Sequence, residues 1–221
     1  MSLSKDYLIQ LAYSLFTYGW VPISLKNKTP VGKNWQNLRN DPIKDQEAIS
    51  QNRYPTRVRQ IDHLYDVGLV NNVGILTGEP SGIVVIDVDA KDDGILKWNN
   101  LVQANGGNLP RTFMVKTGEG GYHFYFKYHD YMSKIPNRNK ILDLSLDFRT
   151  NGGVIVSPGS ISYITGNYYQ IIDGYDNNIP QIADLPPWFL AILVTDILYR
   201  EGITNPTPEQ FNLKKHELGF R

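Results

Sequence analysis

"SGIVVIDVDA", residues 81–90, decides how this chain is read. Ile83, Val84, Val85, Ile86 and Val88 make an apolar run of strand length behind Gly82. A run apolar at consecutive positions predicts a strand covered on both faces. Asp87 and Asp89 stand at its end. Side chains alternate along a strand, so these aspartates project to one face and Val88 to the other. Two carboxylates side by side repel each other and are costly to desolvate. A divalent cation is the natural compensation, and hard oxygen ligands suit Mg2+ or Mn2+. Alone, the pair also fits a strand that simply ends in the turn Asp92-Asp93-Gly94.

Working outward, Ser4 is a fair N-cap, and Leu8, Leu11, Ala12, Leu15 and Phe16 follow helical spacing up to Gly19. "WVPISL" predicts a short strand, and "KNKTPVGKNWQN" a loop punctuated by proline and glycine. Residues 41–66 predict two short helices, the first starting at Asp41-Pro42. "NNVGILTG" is a strand closed by a turn, and residues 92–104 suit a helix. Residues 112–117 and 121–128 read as a hairpin about "TGEGG". Two apolar segments flank "DFRTNGG" within 141–157, and "YYQII" is a late strand. "PPWFLAILVTDILYR" is a strong helix with proline at its start. The polar tail from Thr204 reads as a linker or a short final helix. Irregular alternation with hairpins predicts an α+β or mixed α/β fold with a partly antiparallel sheet, rather than a doubly wound one.

The totals narrow the function classes. The 221 residues suit one large domain or a domain with a small appendage. Formal net charge is zero, so any nucleic-acid binding must come from local patches. The absence of cysteine excludes disulfides and cysteine-ligated zinc. No apolar run reaches ~18 residues and the N-terminus lacks a signal-peptide layout, so no membrane span and no export are expected.

Two further stretches carry chemistry. In "VKTGEGGYHFYF", 115–126, a glycine-rich turn frees backbone N–H groups of Gly120 and Gly121 to approach phosphates. If Tyr122 and Phe124 face the core, His123 faces the opposite sheet surface, where it can meet a phosphate oxygen or a metal. In "SLDFRTNGGVIVSPGS", 145–160, Asp147 and Arg149 share a face. Asp147 could complete a three-carboxylate metal site, with Arg149 turned toward an anion.

In this order the motifs resemble the primase-polymerase (prim-pol) domains of the archaeo-eukaryotic primase superfamily, which occur in plasmid, phage and viral replication proteins. The likeness runs from about Gly19 to about Ser160, through "GWVPISLKNKTPVGKNW", "NNVGILTGEPSGIVVIDVD", "LPRTFMVKTGEGGYHFYF" and "LDFRTNGGVIVSPGS". It implies a fold in which an RRM-like catalytic sheet with flanking helices packs on a smaller N-terminal α/β part. Residues 1–185 would be the catalytic domain, with 1–70 as the N-terminal part and 71–185 as the motif-bearing sheet. Residues 186–221 would be a C-terminal helix and tail that could lead to a further domain.

The resemblance also implies roles: Asp87, Asp89 and Asp147 as ligands of two Mg2+ or Mn2+ ions, and His123 on the incoming triphosphate. Arg149, Lys116, Gly120 and Gly121 would assist at the phosphates. The partners implied are a DNA template and primer, nucleoside triphosphates and a helicase domain or protein, in the cytoplasm of a host cell. "YMSKIPNRNK", 131–140, reads as a flexible basic loop near the active face, with Lys134, Arg138 and Lys140 as DNA contacts. "RYPTRVR" at 53–59 and Lys26, Lys28 and Lys33 are further phosphate-contact candidates. Two rival classes remain. A glycosyltransferase also places D-x-D after a hydrophobic strand, but does not account for His123 and "LDFRTNGG" in their order. A non-catalytic single-strand binder would put aromatics rather than carboxylates on an open sheet face.

Overall fold

The computed structural model describes residues 3–220; Met1, Ser2 and Arg221 lie outside them. Among the described residues are the helices α1 (Lys5–Thr17), α2 (Pro42–Ser50), α3 (Thr56–Asp66), α4 (Gly94–Ala104), α5 (Pro187–Arg200) and α6 (Pro208–Glu217). The strands are β1 (Val21–Lys26), β2 (Thr29–Pro30), β3 (Asn72–Leu76), β4 (Ile83–Val88), β5 (Met114–Lys116), β6 (Tyr122–Lys127), β7 (Leu146–Arg149), β8 (Val154–Val156), β9 (Gln170–Asp173), β10 (Tyr175–Asp176) and β11 (Ile179–Pro180). They form a four-stranded sheet of order β2-β1-β3-β8 and a five-stranded sheet of order β7-β4-β6-β5-β9, with β10-β11 a separate ribbon. All the strand pairs are antiparallel. The fold is therefore α+β, built on antiparallel sheets.

Local chemistry accounts for the element ends. The Ser4 hydroxyl accepts the Tyr7 N–H to start α1. Asp41 caps α2 through the Lys44 N–H, with Pro42 in its first turn. The tail is a helix: Thr207 and Gln210 form a reciprocal capping box and α6 packs on α5.

β4 is buried on both faces, as its apolar run requires. Ile83 and Val85 join a core shared by α1, α3, the four-stranded sheet and the inner face of the five-stranded sheet. Trp20 stacks on Tyr125 across that core, ring centroids 5.7 Å apart. Val84, Ile86 and Val88 face a second core with Trp98 of α4 and Phe189 and Leu193 of α5. Each fully buried aliphatic side chain contributes roughly 1.5–3 kcal/mol, so both faces tie β4 firmly in place.

One boundary differs from the sequence reading. β3 and β8 lie within the residues 71–185 read as one motif-bearing sheet, yet both belong to the sheet that holds β1. The chain crosses between sheets three times, at 77–82, at 150–153 and again between β8 and β9. The first two crossovers bind each other: the Thr77 N–H donates to the Gly153 carbonyl, and its hydroxyl to the Thr150 carbonyl. "TNGG" is thus an inter-sheet crossover, not a hairpin turn. Periodicity along one segment carries no information about which sheet a strand joins.

Gly74, central in β3, lies between β1 and β8. A Cβ there would stand 2.9 Å from the Ile155 carbonyl oxygen and 2.9 Å from Leu25 Cδ1. Gly74→Ala is expected to lower stability by about 1–3 kcal/mol through overpacking, read as a lower urea midpoint with unchanged slope.

Candidate active site

The five-stranded sheet brings the sequence-distant acids into one row. Asp87 in β4 is the register partner of His123 in β6 on one side and of Asp147 in β7 on the other. Directly opposed residues share a face, so Asp147, Asp87 and His123 project together from three adjacent strands. Alternation makes this the inner face, the one that carries Ile83 and Val85. Arg149, opposite Val85, lies on it too. Asp89 follows the end of β4, its N–H held by the Ser145 carbonyl.

The row ends in a cleft of about 420 Å³ between the two sheets, lined by Asp87, Asp89, His123 and Arg149 together with Lys28, Trp35, Glu119, Asn137 and Tyr169. His123 is therefore not on an open sheet surface: it is 3% exposed and packs against the Tyr169 ring at 5.6 Å. Its Nε2 lies 3.5 Å from Asp87 Oδ1, and its Nδ1 has no hydrogen-bond partner among the described residues. Burial, reinforced by the charges of Lys28 and Arg149, pushes the imidazole down to about 3. The ring is neutral at pH 7, so it can donate only one N–H.

Asp87 moves the other way. Burial, then repulsion from Asp89 and Asp147, pushes its carboxyl up to about 7. Asp89 is raised by burial and by Asp147. Asp147 is held differently: Oδ1 accepts the Lys140 N–H at 2.8 Å and Oδ2 accepts from Arg149 at 2.5 Å. Among the described residues, no group of three His, Cys, Asp or Glu side chains is arranged to hold a metal ion. The donor chemistry nevertheless fits a hard divalent cation, because Asp87 and Asp89 are adjacent carboxylates short of compensating positive charge. Asp147, on the same face, is engaged by Arg149 and the Lys140 N–H.

Three expectations need correction. The N–H groups of Gly120 and Gly121 are not free for a phosphate: they donate to the Thr117 carbonyl and hydroxyl within the turn. Gly121 serves close approach instead, since a Cβ would sit 2.2 Å from the Val88 carbonyl oxygen. Lys116 pairs with Tyr122, one position from His123, so it projects from the opposite face and does not line the cleft. Residues 131–140 are not a flexible basic loop. Lys134 Nζ donates to the Glu217 carbonyl, and the Arg138 backbone bridges to Phe148. The Arg138 side chain lies 3.5 Å from buried Asp196. Of this group only the Lys140 side chain is left without a bonded partner among the described residues. Farther off, Lys26 reaches the Gly68 carbonyl, while Arg53 and Arg57 bond glutamines.

Asp196, Glu119 and Tyr169 escaped sequence reading. Asp196 of α5 is fully buried and accepts from the Leu142 N–H at 3.0 Å and Arg200 Nε at 3.0 Å. It thereby pins the segment that delivers the Lys140 N–H to Asp147. A charged residue within the otherwise apolar "WFLAILVTDIL" was the available signal. Glu119 had its place in the glycine turn as a signal; Tyr169 had none.

Fold and site together define an α+β protein with an acidic cleft between two antiparallel sheets. The chain belongs to the bifunctional DNA primase/polymerase (Prim-Pol) N-terminal domain family, whose pattern it matches over residues 12–188. Membership implies nucleotidyl-transfer chemistry of the primase/polymerase type, with DNA and nucleotides as the substrate classes. No curated protein matches the chain. None of the described helices is long and apolar enough to cross a membrane.

Two outcomes are expected here. Asp87 has a folded value of about 7 against an ordinary 3.8, so its burial is tolerated at low pH and opposes folding as pH rises through that window. Without divalent metal, Asp87→Asn should match wild type near pH 4 and exceed its stability increasingly up to pH 7, measured by denaturation at each pH. Asp196→Ala should cost on the order of 2–3 kcal/mol and speed amide exchange across residues 137–147.

Proposed function

We propose that this domain is a template-directed DNA primase or polymerase. Nucleotidyl transfer would take place on the row Asp147–Asp87–His123 with Asp89 beside it. The observation that carries the reading is the register: three motifs far apart in sequence meet opposite one another at the end of a cleft, in a chain of the Prim-Pol family. The strand order β7-β4-β6-β5, with α4 between β4 and β5, supports the RRM-like reading of the sheet. In place of a second helix there are two short 3-10 turns, at Asp130–Lys134 and Ile141–Asp143. We take residues 1–185 as the catalytic unit, and α5 as an appendage that anchors the Asp147 segment through Asp196.

Asp87, Asp89 and Asp147 would hold two Mg2+ or Mn2+ ions. These ions supply Lewis-acid activation of a primer 3′-hydroxyl and charge neutralisation at the leaving pyrophosphate. The protein's own contribution is placement. The apolar inner face behind Asp87 excludes water and strengthens every charge interaction at the cleft end. Neutral His123, fixed against Tyr169, would donate an N–H to a phosphate oxygen. Arg149, on leaving Asp147, would pass from a carboxylate to a phosphate, an exchange its planar fork suits.

The test is incorporation of deoxynucleotides and ribonucleotides with Mg2+ or Mn2+, on templates with and without a primer. Wild type should incorporate nucleotide, and Asp147→Ala and Asp87→Asn should fall to background while remaining folded. A wild type inert with every nucleotide and template would sink the reading.

A further inference from the structure

Building on the nucleotidyl-transfer reading, we propose that Lys28 is a triphosphate-binding residue held in reserve by Glu119, and that nucleotide entry opens this pair. Lys28 sits at the tip of the β1–β2 hairpin in the four-stranded sheet. Glu119 sits in the β5–β6 turn of the five-stranded sheet. Their ion pair therefore spans the mouth of the cleft, and both residues line it with Asp87, Asp89 and His123.

The two partners are not equally mobile. Glu119 is anchored at its far side, because its other carboxylate oxygen accepts the hydroxyl of buried Ser162 at 2.6 Å. Lys28 is the more exposed, 40% against 20%, and its flexible four-carbon stem can swing. Its charge already acts on Asp87 and Asp89, easing both carboxylates against burial.

Charge balance gives the pair its role. Lys28 and Arg149, the cations lining the cleft, are each paired with an acid, Glu119 and Asp147 respectively. A triphosphate entering this space meets the Glu119 carboxylate, which repels it, and Lys28, which attracts it. Moving Lys28 from carboxylate to phosphate exchanges one anionic partner for another and keeps the cation paired. Lys28 and Glu119 should therefore act on nucleotide affinity with opposite signs. A pair that served only to hold the sheets together would act with one sign. Lys28, read from the sequence only as a phosphate-contact candidate, thus belongs with the nucleotide.

The test is calorimetric titration of wild type, Lys28→Ala, Lys28→Arg and Glu119→Gln with dATP and with ATP in Mg2+, beside melting curves for each. Melting should barely move, since the pair is partly exposed. Lys28→Ala should weaken binding about tenfold, Lys28→Arg should stay near wild type, and Glu119→Gln should tighten binding. Wild-type affinity in Lys28→Ala would overturn the proposal while leaving the nucleotidyl-transfer reading intact. Equal weakening in Lys28→Ala and Glu119→Gln would overturn it too, reducing the pair to a structural clasp. A wild type that binds neither triphosphate would instead bring down the nucleotidyl-transfer reading, and this proposal with it.

Discussion

β4 is hydrogen-bonded on both edges, to β6 and to β7, and that double pairing is the constraint on which the rest of the molecule depends. Its register sets Asp87 opposite both His123 and Asp147. A slip of one residue on either side would send the partner side chain to the other face. Two apolar faces hold the register. Val84, Ile86 and Val88 are locked into the core under α4 and α5, and Ile83 and Val85 into the core shared with the four-stranded sheet. The carboxylate at the end of the inner stripe is therefore desolvated by the same packing that stabilises the strand.

That arrangement explains the electrostatics of the cleft. Burial opposes charge on both neighbours in the row, but with opposite consequences: it raises Asp87 and lowers His123. The site at rest holds acids that need cations and an imidazole that stays neutral. Its two cations are engaged with Glu119 and Asp147. Such a cleft is organised in position and incomplete in charge, which suits a site that takes in metal ions and a polyphosphate together.

The segment 137–147 shows how remote packing reaches the site. Asn137 bonds the backbone of Thr150 and Asn151 at the second crossover, Arg138 bridges to β7, and Asp196 of α5 takes up the Leu142 N–H. Composition makes this stretch look like a mobile basic loop, because lysine and arginine are usually solvated. Apart from the Lys140 side chain, its polar groups named above are instead committed to backbone and to a buried acid. Asp196 lies beyond residue 188, where the family match ends, yet it supports the strand that carries Asp147.

Local physics made a good part of this legible from sequence. The apolar run of β4, the helical spacing of α1 and the proline start of α5 all follow from periodicity and capping within one segment. Period-two alternation put Asp87 with Asp89, and Asp147 with Arg149, before any tertiary contact was known. The register of the β5–β6 hairpin, which pairs Lys116 with Tyr122, separates Lys116 from His123. Tertiary structure alone decided which strands share a sheet and that the histidine's face is covered. It also decided that Lys28 and Glu119 meet across the cleft. The reason is the range of the interactions: alternation and capping act within one segment, whereas sheet membership, burial and ion pairing depend on residues tens of positions away.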